Sequence, residues 1–178
     1  MNYKSPMGWN SWNTFGSHIN EKLIMEITDR LVSEGYQEAG YEYVIIDDCW
    51  SLRERVDGKL VADPELFPNG MKALADYVHS KGLKFGMYSC AGFKTCAGYP
   101  SSYGHEFEDA KQFAEWGVDY LKYDFCNFPA SGDAKNAYLT MAMALRNSGR
   151  EILFAACNWG VQDPAKWMRS RGANSYRS

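Results

Sequence analysis

The chain has 178 residues, 46% hydrophobic and 23% charged, with a formal net charge of −3. That is enough for one sizeable core and requires no second domain. A slightly acidic chain offers no basic stripe to drive nucleic-acid binding, and no apolar run approaches the ~20 residues of a membrane span.

The start, Met1-Asn2-Tyr3-Lys4-Ser5-Pro6, lacks the apolar core of a secretory signal, so a cytoplasmic protein is expected, or a secreted one if a signal lies further upstream. The five cysteines are too few and too scattered for a disulfide scaffold. No CxxC or Cys/His cluster has zinc spacing, and His18, His79 and His105 are isolated, so neither a metal nor a cofactor is expected. Aromatic residues make up 15% of the chain, which suits stacking on sugar rings but suits an aromatic core equally.

In chain order, Met7-Gly8-Trp9 reads as a short first strand. Ile24, Ile27, Leu31 and Val32 recur at helical spacing within Asn20–Glu38, with Asn20 placed as the N-cap. Tyr43–Ile46 is a continuous apolar run, as in a strand covered on both faces. Met71, Leu74, Ala75 and Val78 form the next helical stripe, closed by Gly82, and Leu83–Tyr88 is the third strand. Phe107, Ala110, Phe113 and Ala114 mark a helix ending near Gly117, followed by a fourth strand at Asp119–Tyr123. Tyr138, Met141, Ala142 and Leu145 mark another helix, Ile152–Ala155 a fifth strand, Pro164–Arg171 a short helix, and Ala173–Arg177 the opening of a sixth strand.

Regular βα units imply a parallel sheet, doubly wound or closed as a barrel. The first strand–helix turn has no glycine-rich phosphate fingerprint, and acids and aromatics occupy the strand ends instead, which favours the α/β barrel. A complete (β/α)8 TIM barrel needs about 250 residues and eight strands. The reading is therefore one partial barrel domain over residues 1–178, covering five to six βα units. Such an open sheet exposes an edge that normally pairs, so poor solubility is expected.

The fourth strand ends in Asp124. In a β/α barrel the C-terminal ends of the strands carry the chemistry, and an ionised carboxylate there can attack an anomeric carbon. It can equally cap the next helix or join an ion network. Lys122, two residues earlier, shares its face of the strand and would keep the carboxylate ionised. The second strand ends in Asp47-Asp48, whose side chains diverge in an extended backbone, one toward the mouth and one toward the loop. Paired acids suit a sugar diol, and an Asp-rich turn is the plainer alternative. Trp50 either walls the pocket or covers the rim. Trp9 suits the core and Trp12 the rim, while Tyr88, Asn158 and Arg177 lie at or after further strand ends. Cys96 and Cys126 fall in neighbouring loops, where a disulfide would brace the loop carrying Asp124; a reducing compartment would leave both as thiols. Cys49, Cys90 and Cys157 read as small buried residues.

Several stretches together resemble glycoside hydrolase family 27, the α-galactosidase (melibiase) family. They are Met7-Gly8-Trp9-Asn10-Ser11-Trp12-Asn13, Ile46-Asp47-Asp48-Cys49-Trp50, Phe67-Pro68-Asn69-Gly70, Gly86-Met87-Tyr88-Ser89, Thr95-Cys96-Ala97-Gly98, Trp116–Asp124 and Asn174-Ser175-Tyr176-Arg177. The resemblance implies a retaining mechanism with Asp124 as nucleophile. It makes Trp12, Asp47, Asp48, Tyr88, Lys122 and Arg177 the sugar-binding shell, with Asp47 and Asp48 on the C4 and C6 hydroxyls. Cys96 and Cys126 become a disulfide pair beside the site.

Three departures accompany the match. The family's acid/base aspartate falls a few residues after the Arg177 position, and the chain stops at Ser178. The position after Cys157, often glutamate in α-galactosidases, is Asn158, which can still bond a hydroxyl. The cysteine that pairs with the Cys49 position in relatives is absent, with Ser17 standing about there; together with the missing signal this points to an intracellular enzyme. The implied substrate is an α-galactoside oligosaccharide. The alternatives are an α-N-acetylgalactosaminidase or other α-glycosidase of the family, and a non-catalytic sugar-binding barrel.

Overall fold

The computed structural model describes residues 5–177, so Met1–Lys4, read above for a leader, and Ser178 lie outside the described residues. The strands are β1 (Gly8–Asn10), β2 (Tyr43–Ile45), β3 (Lys84–Cys90), β4 (Tyr120–Asp124), β5 (Leu153–Cys157) and β6 (Ser175–Tyr176). The helices are α1 (Trp12–Phe15), α2 (Glu21–Ser33), α3 (Gly70–Ser80), α4 (Glu106–Trp116) and α5 (Ala134–Arg146). All six strands pair in parallel and in sequential order. The result is an α/β fold, a curled half-barrel.

Side chains alternate between the two faces of each strand, and here the alternation separates two environments. Val44, Ile46, Phe85, Met87, Leu121, Tyr123, Phe154 and Ala156 pack under the helices in the main core. Tyr43, Ile45, Tyr120, Leu153 and Ala155 form a smaller apolar layer on the other, concave face. A Cβ on Gly86 would meet Ile45 Cγ1 at 2.7 Å and Tyr120 Cδ1 at 3.2 Å, so that layer closes over a residue with no side chain. One step further along the strands, the same face carries Asp47, Tyr88, Lys122 and Asp124.

Local chemistry sets the helix ends. Asn20 caps α2 by accepting the Leu23 N–H at 2.9 Å, and Gly117 ends α4 in the left-handed conformation at φ 83°. The sequence places α2 as far as Glu38, but the helix stops at Ser33, and Gly35 takes φ 79° just after it. Val32 and Phe107, apolar members of the helical spacings, are exposed. Thr28 and Asp109 occupy buried positions of those helices instead, because each has a partner there: Thr28 Oγ1 donates to Ile24 O at 2.7 Å, and Asp109 receives Arg55. Pro164–Arg171 is two 3-10 turns, not one helix. They are separated at Trp167, which is buried with its indole N–H on Gln162 O.

The β2–α3 connection makes a small excursion closed by Asp57-Gly58, both at positive φ, between the mutually bonded Val56 and Lys59. This is the two-residue hairpin turn that Asp-Gly favours. Arg55 at its base forks onto Asp109 of α4, with Nη1 to Oδ1 at 2.8 Å and Nη2 to Oδ2 at 2.6 Å. A further Nη2 bond to Ser101 O at 2.7 Å ties the excursion to the β3–α4 loop. Because both side chains are largely buried, removing one strands the other. Arg55→Met is expected to cost about 3–5 kcal/mol in urea denaturation, and Arg55→Met/Asp109→Leu to recover most of that loss.

Candidate active site

The site lies at the C-terminal ends of β2, β3 and β4. Cys90, Asp124 and Cys157 stand in register across β3, β4 and β5, which puts Asp124 between two free thiols. One residue pair below, Tyr88 aligns with Lys122. Lys122 Nζ lies 2.8 Å from Asp47 Oδ2 and 3.8 Å from Asp124 Oδ2, and 5.1 Å from the centroid of the Tyr88 ring. One cation thus joins the two acids that the sequence places at separate strand ends.

The acids diverge as expected. Asp47 accepts Lys122 and Asn10 Nδ2, both at 2.8 Å on Oδ2, and the Asp48 N–H on Oδ1. Its own N–H donates to Ser11 Oγ at 3.0 Å. Asp48 turns the other way and accepts the Cys49 and Ala97 N–H groups, each at 2.8 Å. Both side chains are buried, yet each carboxylate has lone pairs left for a hydroxyl. Burial raises the Asp48 carboxyl above the ordinary range, against the lowering effect of the Ala97 N–H and Thr95.

Asp124 Oδ1 is held by the Phe125 N–H at 2.8 Å, which leaves Oδ2 toward Lys122. Burial raises this carboxyl as well, opposed by the Phe125 N–H and then by Lys122. Burial and the neighbouring Asp124 push the Tyr88 phenol far up, so it stays a neutral donor. Its hydroxyl lies 3.2 Å from Cys96 Sγ, and Cys96 is bonded to Cys126.

The remaining expected residues fall around this centre. Trp12 opens α1 and is 38% exposed, a rim position. Arg177 directly follows β6, with its N–H on Ala156 O at 3.0 Å and its side chain hydrogen-bonded to Cys157. Asn158 is fully buried; its Nδ2 donates to Val161 O at 2.6 Å, and its Oδ1 has no partner among the described residues. Trp50 does not wall the pocket: it is buried edge-on against Trp116 with its indole N–H on Tyr88 O. Asn10, Ser11 and the Ala97 N–H were not singled out as ligands of the acids. Asn10 stands where a strand end meets a rim, which is a usable signal, whereas a backbone N–H from a distant loop leaves none.

A family model for alpha galactosidase A matches residues 4–174. Among curated proteins, the chain is 51% identical over 176 residues to alpha-galactosidase A of Cellvibrio japonicus, covering 98% of this chain and 43% of that protein. It is 54% identical over 175 residues to an alpha-galactosidase of Coffea arabica, covering 97% of this chain and 46% of that one. Among solved structures, alpha-galactosidase I from Mortierella vinacea superposes with a TM-score of 0.92 at 45% identity, over 96% of this chain and 44% of its own. An alpha-galactosidase from Saccharomyces cerevisiae, solved with raffinose, superposes with a TM-score of 0.92 at 46% identity, over 97% and 39%. The chain therefore spans less than half the length of these relatives.

Because the native environment raises Asp124, the folded state prefers the neutral carboxyl. The stability tied to that preference is full below the unfolded value of about 3.9 and is lost as pH rises through the folded one. Asp124→Asn keeps the acceptor for the Phe125 N–H and removes the charge. It is expected to melt above the wild type at pH 7, with the difference shrinking toward pH 4 in thermal scans. A wild type that melts at or above the variant at pH 7 contradicts this account.

Proposed function

The chain belongs to the alpha galactosidase A family, glycoside hydrolase family 27, and we propose that it supplies the sugar-binding face and the nucleophile of a retaining α-galactosidase. The substrate is an oligosaccharide with a terminal α-linked galactose, and the six strands are the first six of a (β/α)8 barrel. The observation that carries this reading is Lys122 Nζ, 2.8 Å from one strand-end carboxylate and 3.8 Å from another.

In this mechanism Asp124 Oδ2 attacks C1. The C1–O bond breaks, its electron pair passes to the leaving oxygen, and that oxygen takes a proton from a second carboxyl group. The same carboxylate then removes a proton from water, whose oxygen displaces Asp124 from C1. Resemblance to the family puts that acid/base a few residues after the position of Arg177. Lys122 opposes the burial that raises Asp124, and Phe125 fixes the carboxylate plane through its N–H.

Asp47 and Asp48 take the C4 and C6 hydroxyls, Trp12 lines the rim, and Tyr88 and Arg177 complete the shell. Asn158 Oδ1, an unsatisfied buried acceptor, suits the 2-hydroxyl, since an O–H donor there removes the cost of leaving it unpaired.

Incubating the complete protein with a fluorinated galactosyl donor is expected to place the label on Asp124, as read by peptide mass mapping. Label on any other residue overturns the assignment. Asp48→Asn removes charge-assisted bonds worth about 1.5–3 kcal/mol, so kcat/KM on an aryl α-galactoside should fall by roughly 10- to 150-fold. A higher rate on the matching α-N-acetylgalactosaminide than on the α-galactoside would refute the substrate assignment.

A further inference from the structure

The disulfide and the proposed nucleophile occupy one small volume. Cys96 Sγ, Cys126 Sγ and a carboxylate oxygen of Asp124 all lie within 4.8 Å of one another, and Cys96 is solvent-exposed. The behaviour of the two sulfurs after reduction depends on whether their loops stay in place. Contacts other than the disulfide hold them. The Ala91 N–H donates to Asp124 O at 2.9 Å and the Phe93 N–H to Asn127 O at 3.1 Å. Asn127 Nδ2 reaches back to the carbonyls of Lys94 at 3.3 Å and Thr95 at 3.0 Å. Gly92 lies so close beneath this turn that a Cβ would come 2.0 Å from Cys126 O. With Cα atoms 5.0 Å apart, reduction yields two thiols held face to face.

We propose that the reduced protein binds a zinc ion through Cys96 Sγ, Cys126 Sγ and a carboxylate oxygen of Asp124, with a fourth position open to water. Tetrahedral Zn²⁺ with bonds of about 2.3 Å to sulfur and 2.0 Å to oxygen needs its ligands roughly 3.3–3.8 Å apart. The two sulfurs, bonded at about 2 Å in the disulfide, must part by roughly 2 Å on reduction, while the carboxylate oxygen moves by about an ångström. Two thiolates and a carboxylate outweigh the charge of the ion, and the Tyr88 hydroxyl beside Cys96 Sγ supplies an outer hydrogen bond. Lys122, 3.8 Å from Asp124 Oδ2, opposes the ion, but its closer partner is Asp47.

The chemistry balances. A dithiol reductant delivers two electrons and two protons to the S–S bond and becomes a disulfide itself. Zn²⁺ then displaces the two thiol protons to solvent. The oxidised pair has no thiolate to offer, so the site exists in one redox state only. Binding takes up the Asp124 oxygen that glycosyl transfer needs, a competition that rests on the proposed function, although the metal site does not.

The complete protein, reduced with dithiothreitol, desalted anaerobically, equilibrated with Zn²⁺ and desalted again, is expected to retain about one zinc per chain by elemental analysis. The oxidised protein, Cys96→Ser and Cys126→Ser should retain none, and Asp124→Asn should bind at least about tenfold more weakly. Co²⁺ in place of zinc should give near-ultraviolet thiolate charge-transfer absorption in the reduced wild type and none in the oxidised protein. Absence of zinc from the reduced protein, or equal zinc in the oxidised protein, overturns the proposal without recourse to any variant. Equal zinc in either cysteine variant overturns it too. Because zinc is measured without substrate, this outcome is independent of the trapping experiment.

Discussion

The arrangement at the strand ends depends on Lys122. Three carboxylates, Asp47, Asp48 and Asp124, are buried near one another at the ends of β2 and β4. Burial raises the Asp48 and Asp124 carboxyls. A lysine two residues before Asp124, on the same face, reaches Asp47 at hydrogen-bond distance and Asp124 at ion-pair distance. Backbone N–H groups of Asp48, Cys49, Ala97 and Phe125 satisfy most of the remaining oxygens. The acids are therefore aimed without closing on one another.

The concave face shows how the fold supports that cluster. Its lower layer is apolar, with Tyr43 and Tyr120 stacked at a tilt 5.4 Å apart between Ile45 and Leu153. The upper layer is polar because the next inward-facing residues are Tyr88 in β3, Lys122 and Asp124 in β4, and Asp47 just past the end of β2. The change in chemistry thus requires no change in backbone, only the next inward-facing residue on each strand.

Much of this was legible in the residues. Runs such as Tyr43–Ile46 and Tyr120–Tyr123 announce strands, the acids that follow them announce the site, and Asn20 caps its helix as its side chain dictates. The failures share a cause. Val32 and Phe107 are apolar and carry the right spacing, yet the buried positions go to Thr28 and Asp109, because a local carbonyl and the distant Arg55 satisfy them. Pro164–Arg171 has helical composition, but the turn beneath it is set by Trp167 packing and its bond to Gln162 O. In each case a specific hydrogen-bond partner, nearby in the chain for Thr28 and Trp167 and distant for Asp109, overrode the apolar pattern, and such partners leave no mark on sequence spacing.

The loops of the site are held in the same way. Arg53 lies 3.9 Å over the Tyr99 ring and donates to Ala97 O at 3.3 Å, while the N–H of Ala97 is the one that aims Asp48. Arg55 grips Ser101 O from the same excursion, and the Ser101 hydroxyl donates to Gly92 O. Gly92 in turn lies against Cys126 and Asn127. A connected set of contacts therefore runs from the β2–α3 excursion, through the β3–α4 loop, to the turn after Asp124. The loop whose Ala97 N–H aims Asp48 therefore also packs, through Gly92, against the turn after Asp124.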